Sequence, residues 1–245
     1  MQPLNINEYK QIVVLTGAGI SVASGLRPFR GPNGLWTEMN EDDIPNAINA
    51  RKNPRAVWQL ALEIRKKNIE LNPNQAHLAI AYLQKNACVG QNITLITQNI
   101  DALHKKADSK EVIELHGSAF RTKCSNNNCD LASYEDDKVY DLDNLPSCSK
   151  CSNVLRPDIV LFDEPIGAKE EWLSKRTLRD CDLFIAVGTS GTVYPASNFV
   201  RSAKYVGART IFVNLEAMNP PNNAFDEEII GKAEEILPLL FGMKT

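Results

Sequence analysis

The chain has 245 residues, 43% of them hydrophobic and 23% charged, values of an ordinary globular protein long enough to bury a substantial core. Its 27 Lys and Arg against 30 Asp and Glu leave a net charge of −3, which argues against a polyanion-binding surface and so against nucleic acid as a partner. No apolar run approaches the roughly 20 residues that cross a bilayer, and Met1 to Glu8 lack a basic region followed by an apolar stretch, so a cytoplasmic monomer with no membrane partner is the expectation.

Ile12-Val13-Val14-Leu15-Thr16 is apolar on both faces and reads as a buried strand. Gly17-Ala18-Gly19-Ile20-Ser21 follows; glycines at a strand end let a backbone approach phosphate, and the next helix N-terminus offers N–H groups. The turn lacks the third glycine of the usual dinucleotide fingerprint, and such turns also serve packing, so alone it leaves nucleotide binding open. In Gly25-Leu26-Arg27-Pro28-Phe29-Arg30-Gly31 an aromatic and a cation share a loop that can close over a ligand, with Arg30 pairing with phosphate. The alternative is a surface loop whose Phe29 plugs the core. From about 32 to 73 a helical insertion is expected, with Val57, Leu60, Ala61 and Ile64 at helical spacing.

A helix over Gln75 to Lys85 precedes a second strand, Thr94-Leu95-Ile96-Thr97. Beyond its carboxyl end stand Gln98, Asn99 and Asp101, then Leu103-His104, where doubly wound folds bind ligands; a helix cap by Asn99 or Asp101 is the plainer reading. His116-Gly117 comes eight residues before Cys124, which with Cys129, Cys148 and Cys151 forms a C-x4-C, 18-residue spacer, C-x2-C pattern. That spacing suits a tetrahedral zinc ion, structural because four thiolates leave no open position; two disulfides or four unrelated thiols are the alternatives. Residues from about 118 to 157 are too polar to bury a core without the metal. Cys88 and Cys181 are expected to pack as small core residues.

Leu183 to Val187 and Thr210 to Leu215 are two more apolar strands, separated by a helical pattern over Pro195 to Val206. Gly188-Thr189-Ser190 after the first suits a phosphate or ribose, and Asn214-Leu215-Glu216 after the second suits ribose hydroxyls. Buried strands alternating with helices imply an α/β fold, a Rossmann-like doubly wound parallel sheet. Its core would span about 1–31, 74–117 and 158–245, with the helical insertion (about 32–73) and the zinc-ribbon segment (about 118–157) forming a smaller domain beside it.

Taken together, Gly17-Ala18-Gly19-Ile20-Ser21, Phe29-Arg30-Gly31, Thr97-Gln98-Asn99-Ile100-Asp101, His116-Gly117, the four cysteines, Gly188-Thr189-Ser190 and Asn214-Leu215-Glu216 resemble the sirtuin family over nearly the whole chain. Gly34-Leu35-Trp36 and Gly191-Thr192-Val193-Tyr194-Pro195-Ala196 look like its short bacterial, class III branch. The resemblance implies an NAD-dependent protein lysine deacylase that consumes NAD, releases nicotinamide and transfers the acyl group of an acyl-lysine protein or peptide to ADP-ribose. It implies His116 as general base toward a ribose hydroxyl, a role open to an imidazole near neutral pH. NAD contacts carry over to Gly17, Ala18, Gly19, Ser21, Phe29, Arg30, Gln98, Asn99, Asp101, Gly188, Thr189, Ser190, Asn214, Leu215, Glu216 and Ala233. One structural zinc carries over to Cys124, Cys129, Cys148 and Cys151, and peptide pairing by strand addition to Val160 and Phe162.

Two departures stand out. Asp163 occupies a position where the family commonly has glycine. In addition, the tyrosine and arginine that read acidic acyl groups in some members of the branch fall at Ala61 and Ile64, whereas a register shifted by one residue gives Leu62 and Arg65. The implied preference is for acetyl or neutral acyl over succinyl or malonyl. An ADP-ribosyltransferase or NAD hydrolase using the same site is the second enzyme reading, and a zinc-ribbon nucleic-acid module is disfavoured by the acidic ribbon.

Overall fold

The structure is a computed structural model that describes residues 2–29, 34, 46–48 and 53–243. Arg30 and most of the insertion before residue 53 lie outside the described residues. Six parallel strands form the main sheet in the order β3-β2-β1-β7-β8-β9: β1 (Gln11–Thr16), β2 (Asn92–Thr97), β3 (Val112–Glu114), β7 (Leu183–Val187), β8 (Arg209–Asn214) and β9 (Glu227–Ile230). The doubly apolar strands are explained by layers on both faces. Ile12 and Val14 of β1 join one core cluster with Ile185 of β7, while Val13 and Leu15 join another with Phe184 and Ala186.

The first cluster is closed by α2 (Gln75–Lys85) and α6 (Ala233–Leu240), the second by α4 (Ala168–Arg179) and α5 (Phe199–Tyr205). Helix α2 starts where Asn74 accepts from Ala76 N–H and His77 reaches back to the Asn74 backbone, a reciprocal cap. The helix expected over Pro195 to Val206 divides into a 3-10 turn, Ala196–Asn198, and α5. A 3-10 helix, Ala18–Ser24, likewise replaces the α-helix expected after the glycine turn; Gly25 ends it in the left-handed conformation at φ 100°.

A second, antiparallel sheet has the order β5-β4-β6, from β4 (Gly117–Cys124), β5 (Tyr134–Glu135) and β6 (Leu155–Ile159). Beside it lies α1 (Pro54–Glu70), with proline in its first turn where no N–H partner is needed. This helix has two buried faces. Val57, Ala61 and Ile64 pack with Ile100, Ala119, Ile159 and Leu161, whereas Trp58 and Leu62 pack with Cys124, Cys148 and Leu155. Ion pairs tie the small sheet to the main one: Glu114 at the end of β3 meets Arg121 of β4 at 3.5 Å, and Lys105 bridges Glu114 at 2.9 Å and Glu135 of β5 at 3.7 Å. Among the described residues no helix is long and apolar enough to cross a membrane. One expectation fails here: Cys181 is buried, but Cys88 is exposed, because the chain leaves α2 at Asn86 and places Cys88 in the turn before β2.

Candidate active site

Strand β1 is the switch point of the main sheet, with β2 on one side and β7 on the other, and the crevice of such a fold opens beyond the carboxyl ends of these strands. Gly17 and Gly19 meet Gly188 there. A Cβ on Gly17 would sit 2.8 Å from Gly188 O, one on Gly19 2.8 Å from Gly188 Cα, and one on Gly188, whose φ is +59°, 2.4 Å from Ile20 N. These contacts give the three glycines a packing reason of their own. Gly17 N–H donates to Val187 O and Gly19 N–H to Gly188 O, so these two donors are used within the chain.

Residues after β2 complete the floor. Gln98 Nε2 donates to Thr189 Oγ1 at 3.0 Å, and Asn99 Nδ2 to Gly17 O at 3.1 Å and Ser21 Oγ at 3.2 Å. Ser21 Oγ donates in turn to Asp101 Oδ2 at 2.7 Å. The other Asp101 oxygen accepts from Leu103 N–H at the start of the short helix α3 (Leu103–Lys106), whose N-cap position is Ala102. Burial raises the Asp101 carboxyl pKa against the lowering effect of those two hydrogen bonds.

His116 stands at the entrance to β4. Its Nδ1–H donates to the backbone carbonyl of Gln98 at 3.0 Å, which fixes the tautomer and leaves the Nε2 lone pair as an acceptor. Burial lowers the pKa of this imidazole and the Gln98 bond partly restores it, so the ring is a neutral base near pH 7.

The remaining expected positions lie around this floor. Ser190 is exposed and bonds to Thr192; Asn214 Nδ2 donates to Glu216 O at 3.0 Å; Leu215 and Glu216 are exposed beyond β8; Ala233 is buried at the start of α6. Ala18 is half-buried in the glycine turn, and Phe29 packs against the Ala61 and Ile64 cluster. In the segment expected to pair with peptide, Val160 N–H donates to His116 O, and Phe162 O accepts from Ala47 N–H beside a parallel bridge to Asn46. Part of that backbone is therefore already paired within the chain. Asp163 adopts φ +64°, the left-handed region in which glycine is unstrained. The shifted acyl register is turned away: Leu62 packs against the cysteine segment, and Arg65 pairs with Asp136.

Beneath the floor lies a polar network in which His77 was not singled out in the sequence. Thr16 Oγ1 donates to Thr97 Oγ1 at 2.9 Å and contacts His104 Nε2 at 2.9 Å; the His104 and His77 rings lie 4.8 Å apart. Ser21 Oγ reaches His77 Nε2 at 3.5 Å. The readable signal was composition: the chain has three histidines, and all three converge on this end of the sheet.

The four cysteine sulfurs lie within 4.8 Å of one another, with Cys124 to Cys151 at 3.4 Å and Cys129 to Cys148 at 3.7 Å. Four sulfurs about 2.3 Å from a tetrahedral zinc would be separated by about 3.8 Å, whereas a disulfide needs about 2.05 Å, so the donor set fits the metal. Asn126 and Lys150 N–H groups donate to Cys124 and Cys148 sulfurs, as suits thiolates.

Fold and site together define an α/β protein whose crevice gathers amide, hydroxyl and imidazole groups beside a four-cysteine ribbon. The model of the Sir2 family matches residues 17–195, and the chain belongs to that family. It is 40% identical over 233 residues to the NAD-dependent protein deacylase 2 of Archaeoglobus fulgidus, spanning 94% of this chain and 89% of the relative. A crystal structure of a Sir2 homologue with NAD superposes with TM-score 0.86 at 35% identity, covering 97% of this chain and 90% of that one. A Sir2 variant with a deacetylated p53 peptide and 3'-O-acetyl ADP-ribose superposes with TM-score 0.83 at 28% identity, covering 97% and 94%.

Two outcomes follow from this geometry. Burial holds His77 at a pKa of about 4 and His104 well below its ordinary value, so both are neutral in the folded protein. Unfolding restores values near 6.5; the stability they contribute is complete above that pH and is lost as pH falls through the window, on the order of 3 kcal/mol at pH 4 for His77. Asp101, raised by burial, works in the opposite sense and softens the fall. Urea midpoints should therefore drop from pH 7.5 to pH 5. Cys148→Ser should abolish zinc binding by the four-sulfur cluster and loosen the β4, β5 and β6 segment while the main sheet remains, read as zinc content and as early amide exchange confined to that segment.

Proposed function

We propose that this chain is an NAD-dependent protein lysine deacylase of the sirtuin type, which consumes NAD and water to give free lysine, nicotinamide and O-acyl-ADP-ribose. The observation that carries the reading is His116, whose Nδ1–H is held by the Gln98 carbonyl at the mouth of a crevice lined by Gln98, Asn99, Ser21 and Thr189. A neutral imidazole with a free Nε2 is the base that a ribose hydroxyl needs. NAD supplies the ribose that accepts the acyl group once nicotinamide has left.

In this reading Gln98, Asn99 and Asp101 orient the nicotinamide ribose, while Gly17, Ala18, Gly19, Ser21, Phe29 and Arg30 surround the phosphates. Gly188, Thr189, Ser190, Asn214, Leu215, Glu216 and Ala233 hold the adenosine half. Cys124, Cys129, Cys148 and Cys151 would hold one zinc ion, saturated by thiolates and so remote from the chemistry. The partner is an acyl-lysine protein or peptide that pairs with the Val160 and Phe162 segment.

Acyl preference follows from Ala61 and Ile64. Both are buried in an apolar cluster with Ile100, Ile159 and Leu161, and the residues described in that cluster are hydrophobic, so none of them would pair with an acyl carboxylate. A succinyl or malonyl group would lose its water without gaining a partner, whereas acetyl and longer neutral chains would not. Matched peptides should give kcat/KM for acetyl and butyryl lysine at least about tenfold above succinyl lysine, and a succinyl preference would overturn this assignment. His116→Ala should lower turnover by roughly 100-fold or more with NAD affinity nearly unchanged, measured as steady-state rate and NAD titration of the same variant.

A further inference from the structure

Arg65 takes no part in the roles above, yet it is among the largest fully buried side chains, with 1% of its surface exposed. Its Nε donates to Ala119 O at 2.6 Å, Nη1 to Lys138 O at 2.6 Å and Nη2 to Thr122 Oγ1 at 3.3 Å, with the Asp136 carboxylate 3.5 Å away. Asp136 is held by Thr122 Oγ1 and Tyr140 OH, and the guanidinium lies over the Trp58 ring at 5.2 Å. Burying a cation is costly even when paired, and apolar side chains fill such space without that cost. What a guanidinium adds is direction, because its donors are fixed in one plane and satisfy several acceptors only at a single height and rotation of the helix that carries it.

Those acceptors sit on different parts of the small sheet and its connections: Ala119 and Thr122 on β4, Lys138 and Asp136 after β5. Ala119 is also a wall of the apolar cluster containing Ala61 and Ile64, and its N–H donates to Ile100 O at 3.0 Å. From the same helix Asn68 Nδ2 donates to Asp101 O at 2.6 Å. Helix α1 is thereby clamped between the cysteine-bearing segment and the loop after β2.

We propose that Arg65 is a positioning residue for acyl recognition, fixing the height and rotation at which Ala61 and Ile64 of α1 meet the acyl chain and making that setting depend on the metal-bearing segment. The proposal rests on the deacylase reading and on Ala61 and Ile64 as the acyl wall, and wild-type turnover of acetyl and butyryl peptides tests that reading separately. Arg65→Met removes every donor; Arg65→Lys keeps the charge with a single donor head. Each variant is compared with wild type for zinc content, NAD KM, and kcat and KM on acetyl, butyryl and octanoyl lysine peptides. A misplacement of about 1 Å can cost on the order of 100-fold, so Arg65→Met should raise peptide KM about tenfold or more, most for octanoyl. One zinc per chain and an NAD KM within about twofold of wild type should remain, and Arg65→Lys should recover part of the loss. Wild-type peptide KM and chain-length profile in either zinc-replete variant would overturn the proposal. So would joint loss of zinc and NAD affinity in the Lys variant, which would make Arg65 a folding residue of the ribbon alone.

Discussion

At the carboxyl ends of β1 and β7 the backbone of Gly17 and Gly19 lies against Gly188 so closely that a methyl group on any of them would stand within 2.8 Å of a neighbouring heavy atom. That approach shapes the crevice. It brings Thr189 under Gln98, turns Ser21 toward Asn99 and Asp101, and leaves the 3-10 turn from Ala18 in place of a longer helix. The Gly17 and Gly19 N–H groups are themselves used to close this contact. The recognition burden of the proposed site thus shifts toward side-chain amides and hydroxyls arriving from β2 and β7.

Below that contact the protein buries a connected set of polar side chains. Thr16, Thr97, Ser21, Asn99, Asp101, His77 and His104 are all buried, and they bond to one another across β1, β2 and α2. Such a network is stable only when nearly every group finds a partner, and it then holds its members in one arrangement. The gain here is rigidity directly under the residues expected to hold a ribose. His116 shares the arrangement through its bond to the Gln98 carbonyl, so the base and the amide beside it are set by the same segment.

The small sheet is organised differently. It has few apolar residues, and its packing depends on four cysteine sulfurs gathered within 4.8 Å and on the face of α1 bearing Trp58 and Leu62. The other face of that helix packs through Ala61 and Ile64 against Ile100 of the loop after β2 and against Ile159 and Leu161. A two-faced helix therefore joins the four-cysteine segment to the loop that follows β2.

The sequence by itself determined the strands, because continuous apolar runs need cover on both faces, and it determined the cysteine set, because short paired spacings close a tetrahedron. It also located Gln98, Asn99, His116 and Thr189 at strand ends, where a parallel sheet opens its crevice. Exposure of Cys88 and the division of the Pro195 to Val206 helix were not legible, since local periodicity says nothing about where a chain leaves its core. Nor were the partners of His77, His104 and Arg65, which lie on segments far apart in the chain and meet only in the tertiary structure. Only the tertiary structure decided that Ala61 and Ile64 pack with Ile100, Ile159 and Leu161 while Arg65 meets Asp136 of the ribbon segment: Ile64 and Arg65 are adjacent on the helix and diverge by about 100°, and the small sheet, flanked by the loop after β2 on one side and the cysteine segment on the other, selects what each one meets.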